Sequence, residues 1–221
     1  MEHGRRETVN CLPEAFLDRM REMLGEEYDT FLEGYEREKY QALRINPLKW
    51  TESRGIGAGM QAFHLTPVSW EKFGYYYDRL DQPGRHPYHE AGLYYIQEPS
   101  AMAPVPLMEI RPGEKVLDLC AAPGGKSTQI AAALQGKGLL VSNEIHPARA
   151  KRLSENMERM GVRNACVTNE NATRLSEKFP EYFDRILVDA PCSGEGMFRK
   201  NETACEEWSP ENVELCAARQ D

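Results

Sequence analysis

Two stretches of this chain hold residue types whose spacing suits them to chemistry. In Asp189-Ala-Pro-Cys-Ser-Gly-Glu-Gly196 a carboxylate stands three residues before a thiol. A thiolate is a strong nucleophile toward an electron-poor carbon, and a neighbouring acid can manage the charge that its addition creates. In Val116-Leu-Asp-Leu-Cys-Ala-Ala-Pro-Gly-Gly-Lys-Ser-Thr128 an apolar run passes through Pro-Gly-Gly into residues that can open a helix. Gly124 and Gly125 let the backbone turn and approach a ligand closely, and a helix start at Lys126-Ser127 offers amide N–H groups without partners of their own. The first stretch offers a reacting pair, the second a cradle for a nucleotide-like cofactor.

Spacing separates the possible cofactors. A Walker loop needs a glycine five residues before Gly125, where this chain has Cys120. The dinucleotide pattern of three spaced glycines fails as well, because only the adjacent pair is present. Glu144, however, ends the next predicted strand twenty residues after Gly124, where a carboxylate can accept from both hydroxyls of a ribose. A ribose without a polyphosphate cradle points to S-adenosylmethionine. A bare strand-to-helix turn beside a solvated Glu144 explains each piece singly, but not the pieces in this order. Methylation at C5 of a cytosine is one reaction that needs both Asp189 and Cys192, since C5 is a poor nucleophile until a thiolate adds at C6. Taken alone, Asp-x-Pro-Cys is equally compatible with an inert thiol and a loop cap. Its place after the cofactor loop, in strand order, favours chemistry.

The elements that must position these residues are legible in the pattern. Phe16, Leu17, Met20, Met23 and Leu24 predict one face of a helix between Pro13 and Gly25, and Tyr28, Phe31, Leu32 and Tyr35 predict a second. From about 43 to 97 the prolines and glycines, among them Pro47, Gly55, Gly57, Gly59, Pro67, Pro83 and Gly92, predict short strands and loops. His86 and His89 lack metal-site spacing, so no metal is expected. After Pro112-Gly113 strands alternate with helices. The expected strands are Lys115–Ala122, Gly138–Glu144, Ala165–Asn169 and Phe183–Ala190, and the expected helices Lys126–Leu134, Pro147–Met160 and a short one near Arg174–Phe179. Ala150, Leu153, Met157 and Met160 give the second of these helices its buried face. This is the first half of a doubly wound parallel sheet, expected to continue past Asp221. Trp208 and Phe198 are read as packing residues, with stacking against a base as the alternative.

Composition excludes several classes. The chain has 221 residues, 41% hydrophobic and 28% charged, which is ordinary for a globular protein. No apolar run is long enough to cross a bilayer and the first residues do not read as a signal peptide, so a cytoplasmic protein is expected. The cysteines at 11, 120, 166, 192, 205 and 216 show neither a Cys-x-x-Cys pair nor zinc spacing. A formal charge of −8 argues mildly against nucleic acid. The deficit is uneven: residues 1–110 carry 12 basic and 18 acidic side chains, residues 111–221 carry 15 and 17.

With these residues in place, the chain resembles the Sun-type RNA 5-methylcytosine methyltransferases, and their RsmF-type members most of all. Asp118 to Ser127 is similar to the family's cofactor motif and Asp189 to Gly194 to its catalytic motif. Leu43-Arg-Ile-Asn-Pro-Leu-Lys49 and Gln97-Glu-Pro-Ser-Ala-Met102 resemble its N-terminal signatures, and Leu12 to Met20 its opening helix. The resemblance implies an incomplete Rossmann-like methyltransferase fold behind a small N-terminal α+β domain, with domains at 1–92 and 93–221. It implies methyl transfer from S-adenosylmethionine to cytosine C5 in RNA, small-subunit rRNA or the ribosomal subunit ahead of tRNA. The cofactor-binding residues it implies are Ala121, Ala122, Pro123, Gly124, Gly125 and Lys126 around the methionine end and Glu144 at the ribose. Asn171, where an aspartate is expected, would lie near the adenine, with Asn169 as a substitute. Asp189 would lie by the transferring methyl and the base, and Arg44 and Asn46 at an RNA-facing entrance. In this family the attacking cysteine comes from a Thr-Cys motif beyond the position of Asp221, which makes Cys192 the second cysteine, one that helps to resolve the covalent adduct. A cofactor- or RNA-binding protein without catalysis is the competing expectation.

Overall fold

The chain begins with two short amphipathic helices whose ends are written in the sequence. In this computed structural model, which describes residues 12–50 and 62–220, helix α1 spans Glu14–Leu24 and helix α2 spans Tyr28–Glu36. Pro13 sets an extended entry to α1, and Gly25, at φ 51°, ends it. Phe16 and Tyr28 are buried, whereas Met23, expected on the buried face, is 64% exposed. Cys11, Gly55, Gly57 and Gly59 lie outside the described residues.

Two compact units organise the chain, one from residues up to Lys39 together with those from Ala190 onward, the other from Tyr40 to Asp189. In the first, α1 and α2 share a core with two later helices, α8 (Glu202–Glu207) and α9 (Pro210–Gln220). Leu12, Phe16, Phe198, Cys205 and Trp208 form its centre. The Phe16 ring meets Phe198 edge-on at 5.0 Å and Trp208 at 5.7 Å. Both Phe198 and Trp208 are therefore packing residues.

The second unit holds two four-stranded sheets. The first is antiparallel, in the order β2 (Thr66–Pro67), β3 (Gly74–Tyr76), β1 (Ala42–Ile45), β4 (Tyr94–Ile96), with the short helix α3 (Pro87–Glu90) before its last strand. Leu43 stands opposite both Tyr75 and Ile96, and all four residues of β1 are buried. After helix α4 (Pro104–Leu107) the chain enters the second sheet, which is parallel. Its strands are β5 (Lys115–Asp118), β6 (Leu139–Asn143), β7 (Ala165–Thr168) and β8 (Arg185–Leu187), in the order β7-β6-β5-β8. Parallel neighbours require crossovers, which helices α5 (Gly125–Leu134), α6 (Pro147–Met160) and α7 (Ala172–Lys178) supply. This is a Rossmann-like α/β architecture behind an antiparallel α+β segment.

The predicted face of α6 is the one that packs: Ala150, Leu153, Met157 and Met160 are all buried. Burial of Leu153 and the two methionines contributes about 1.5–3 kcal/mol each. Every predicted strand of this sheet is shorter in the structure, because the backbone ladder ends before the predicted run does. Past β5, Leu119 N–H donates to Leu187 O and Ala121 N–H to Asn143 O, so the loop is tied to neighbouring strand ends without being a strand. The expected division at 92/93 does not coincide with the compact units, because β1 and β4 pack in the same unit as the parallel sheet and the last helices pack with the first.

Candidate functional site

The carboxyl ends of β5 and β8 converge on the two stretches that carried the chemistry. Gly124, at φ 110°, takes the N-cap position of α5, and a Cβ there would lie 3.1 Å from Leu153 Cδ1. Both the backbone angle and the space thus call for glycine. The carbonyls of the loop are held from outside: Arg149 Nη2 donates to Ala122 O at 3.0 Å, Asn156 Nδ2 to Pro123 O at 2.7 Å and Arg44 Nη2 to Gly125 O at 2.9 Å. With these carbonyls occupied, the first-turn N–H groups of α5, which no helix can satisfy internally, are left to a ligand, whereas Gly124 N–H donates to Ala121 O and Ala121 N–H to Asn143 O.

A cavity of about 250 Å³ opens against this loop. Of the residues singled out in the sequence, Ala121, Ala122, Pro123, Gly125, Lys126 and Asp189 line it. Tyr95, Ile96, Gln97, Ala101 and Cys120 complete the wall and were not assigned to the site. Cys120 was within reach of sequence reasoning, since it sits inside the motif. Tyr95 and Gln97 arrive through the antiparallel sheet, whose pairing no local pattern reveals. A Cβ on Gly125 would stand 3.4 Å from both Gln97 Nε2 and Tyr95 Cε1, so a side chain there would narrow the cavity.

Charge is concentrated at the loop. Lys126 Nζ lies 2.5 Å from Asp189 Oδ2, joining the two motifs in one ion pair. Asp118 is fully buried: Ser127 Oγ donates to its Oδ2 at 2.7 Å, while Oδ1 has no partner among the described residues. Burial pushes the Asp118 carboxyl up to about 6, against the opposing hydrogen bond from Ser127 and the charge of Lys126. The Cys120 thiol is raised too, by burial first and then by the surrounding carboxylates.

The remaining expected site residues are not in the cavity wall. Glu144 follows β6 and is buried, its Oε1 accepting from His146 N at 3.0 Å and its Oε2 3.5 Å from Arg149 Nη1. Asn171 caps α7, its Oδ1 accepting from Arg174 N at 2.8 Å, and Asn169 Nδ2 donates to Glu144 O at 2.6 Å. Cys192 is exposed and belongs to the other compact unit.

Arg44 and Asn46 require a correction. Each is only 2% exposed, and neither faces an entrance. Arg44 also donates to Gln97 Oε1 and Thr128 Oγ1, and Asn46 Nδ2 donates to Gly92 O and Met160 O, both at 2.8 Å. They act inside the protein: Arg44 lies in a central strand buried along its whole length, which leaves its side chain no route to solvent, and Asn46 follows that strand directly. Among the described residues no three His, Cys, Asp or Glu side chains are grouped to hold a metal ion, and no helix is long and apolar enough to cross a membrane.

Comparison with known proteins is consistent along the whole described chain. The family model for the 16S rRNA methyltransferase RsmB/F matches residues 105–221, and that for the N-terminal domain of 16S rRNA methyltransferase RsmF matches residues 12–99. Ribosomal RNA small subunit methyltransferase F of Cronobacter sakazakii is 39% identical over 219 residues, covering 95% of this chain and 46% of its own. The Escherichia coli protein of the same name is 38% identical over 217 residues, covering 94% and 45%. The chain thus spans about half the length of the curated relatives it matches. Among solved structures, a methyltransferase homolog protein from Pyrococcus horikoshii superposes with a TM-score of 0.80 at 27% identity, over 100% of this chain and 70% of that one. NSun6 from Pyrococcus horikoshii, solved with SFG, gives 0.77 at 18% identity over 95% and 78%, a likeness of fold. With two adjoining family models matched and the site motifs inside them, the chain belongs to the RsmB/F family of 16S rRNA methyltransferases.

Proposed function

We propose that this protein transfers a methyl group from S-adenosylmethionine to C5 of a cytosine in RNA, small-subunit rRNA foremost, in the cytoplasm. The observation that carries the reading is the convergence of Ala121, Ala122, Pro123, Gly125, Lys126 and Asp189 on one cavity at the carboxyl edge of the parallel sheet. The residues fit such a cofactor: the glycine at 125 keeps the cavity open, and three carbonyls of the loop are tied to Arg44, Arg149 and Asn156, which do not line the cavity. When bound, the cofactor supplies an electrophilic methyl on a sulfonium.

The chain's own residues hold the cofactor and the target ring, and the attacking thiolate comes from the Thr-Cys motif that the family resemblance places after the position of Asp221. The loop from Ala121 to Lys126 binds the methionine end. Glu144 receives the ribose, since a carboxylate holding one N–H and one guanidinium still has acceptor capacity for hydroxyls. Asn171, with Oδ1 engaged as a cap, offers its amide N–H₂ to the adenine. Lys126 holds Asp189 beside the target ring, and Asp189 delivers a proton to N3, where negative charge builds when a thiolate adds at C6 and makes C5 nucleophilic toward the methyl; the proton returns when the thiolate leaves. A water molecule, aided by Cys192, then takes the C5 proton, the C5–H electron pair re-forms the C5–C6 double bond, and the thiolate leaves from C6. The target base must be unstacked for this, at a cost of a few kcal/mol.

The test is transfer of tritiated methyl from S-adenosylmethionine to unmodified small-subunit rRNA and to tRNA by the protein encoded by this gene. Asp189→Asn should lower kcat at least about a hundredfold, and Cys192→Ala should leave a slowly released RNA–protein adduct. Loss of adduct formation in Cys192→Ala would instead make Cys192 the attacking nucleophile. Labelling of tRNA in preference to rRNA would overturn the substrate assignment.

A further inference from the structure

Arg44 reaches the cofactor cavity without lining it. Its guanidinium spreads three hydrogen bonds over two walls: Nε donates to Gln97 Oε1 at 3.1 Å, and Nη2 to Gly125 O at 2.9 Å and Thr128 Oγ1 at 2.8 Å. Gln97 is fixed in turn, its Nε2 donating to Ala101 O at 3.0 Å, and the Thr128 hydroxyl donates back to Gly124 O at 2.8 Å. Gly125, Gln97 and Ala101 all line the cavity, and Thr128 and Arg44 do not. One planar cation therefore spans the antiparallel sheet and the first turn of α5.

Placing a cation there is not favourable in itself. Arg44 is only 2% exposed, and burial lowers its pKa to about 10, partly offset by the charge of Glu71. Neutral acceptors repay desolvation of a charge poorly, and apolar replacements of buried charges are often as stable. What a guanidinium supplies that an apolar side chain cannot is a fixed angle between its acceptors. The acceptors here are two pieces of the cavity wall.

Resting on the assignment of the cavity as a cofactor site, we propose that Arg44 is a positioning residue for cofactor binding. It clamps Gly125 and Gln97 at the separation a nucleoside thioether or sulfonium needs, and Thr128 completes the clamp from outside the cavity. A side chain 81 residues from the loop in sequence thus sets the loop's affinity.

Calorimetry with S-adenosylhomocysteine on the full chain tests this, with unfolding midpoints measured alongside. Failure of the unsubstituted protein to bind sinks the cofactor assignment itself. If it binds, Thr128→Val, which keeps shape and removes the hydroxyl, is expected to weaken Kd by about five- to tenfold, and Thr128→Ser by less than about twofold. Arg44→Lys, which keeps charge and loses the fork, should weaken it about tenfold, and adding Thr128→Val to it should cost less than about twofold more. A Kd unchanged in both Thr128→Val and Arg44→Lys, equal weakening by Ser and Val, or full additivity overturns the proposal. A purely structural role would lower the unfolding midpoint and leave Kd of the folded protein alone. Should Arg44→Lys fail to fold, the Thr128 pair decides.

Discussion

Asp118 carries the sharpest single-residue consequence of the site. One of its oxygens is buried without a donor, and its pKa is pushed up from 3.8 to about 6 by burial. A folded-state pKa above the unfolded one means that the folded protein binds the extra proton between about pH 4 and 6. The contribution of this group to stability is therefore greatest below pH 4, falls as pH rises through 6, and stays low above it. Two units correspond to about 3 kcal/mol as an order of magnitude. Asp118→Asn removes the titration, so its urea midpoint relative to the parent should climb between pH 4 and 6 and then level. A difference independent of pH over that interval would show that Asp118 does not titrate there. Residues such as Asp118, Gly124 and Lys126 were legible in the sequence because their neighbours along the chain are also their neighbours in space. The resemblance implied an RNA-facing place for Arg44, whereas the structure buries it, and only strand pairing reveals that β1 is covered on both faces.

At the scale of elements, the end of α6 is held by side chains from the segment after β1. Asn46 serves Met160 O as well as Gly92 O, and Lys49 Nζ donates to Arg159 O at 2.6 Å and Ala91 O at 2.7 Å. These include carbonyls of the last helical turn, which have no intrahelical donors and carry the negative end of the helix dipole. The approach is close: a Cβ on Gly92 would fall 2.0 Å from Arg159 O. Asn46→Ala leaves two buried acceptors unpaired and should cost about 2–4 kcal/mol, measured by urea unfolding. It should also speed hydrogen exchange in the amides after Gly161 more than in those of β5. A cost within about 0.5 kcal/mol, typical of an inert surface site, would show the clasp to be immaterial. The limits of α6 were readable from Pro147 and Gly161, since proline is suited to the first turn and glycine to the left-handed position after the last. The clasp was not, because a helix pattern carries no information about which loop satisfies its end.

For the whole molecule, the informative feature is a unit assembled from both ends of the described chain. Periodicity disclosed α1 and α2 but not their partners, since packing between residues near 16 and near 208 leaves no local trace. Phe16 is 2% exposed and touches both Phe198 and Trp208, so Phe16→Ala opens the centre of this unit at a cost of about 3–5 kcal/mol. Cysteines report the result site by site. Cys166 and Cys192 are exposed, Cys205 lies in the same core as Phe16, and Cys120 lies in the unit from Tyr40 to Asp189. With iodoacetamide and peptide mass mapping, Cys166 and Cys192 should label before the other cysteines among the described residues in the native protein. Phe16→Ala should then accelerate Cys205 by at least about tenfold, because local opening needs less free energy than global unfolding, while the rate at Cys120 stays within about twofold. Acceleration of Cys120 in step with Cys205 would mean instead that the two units unfold as one, and that the cofactor loop draws its stability from a core to which it contributes no residue.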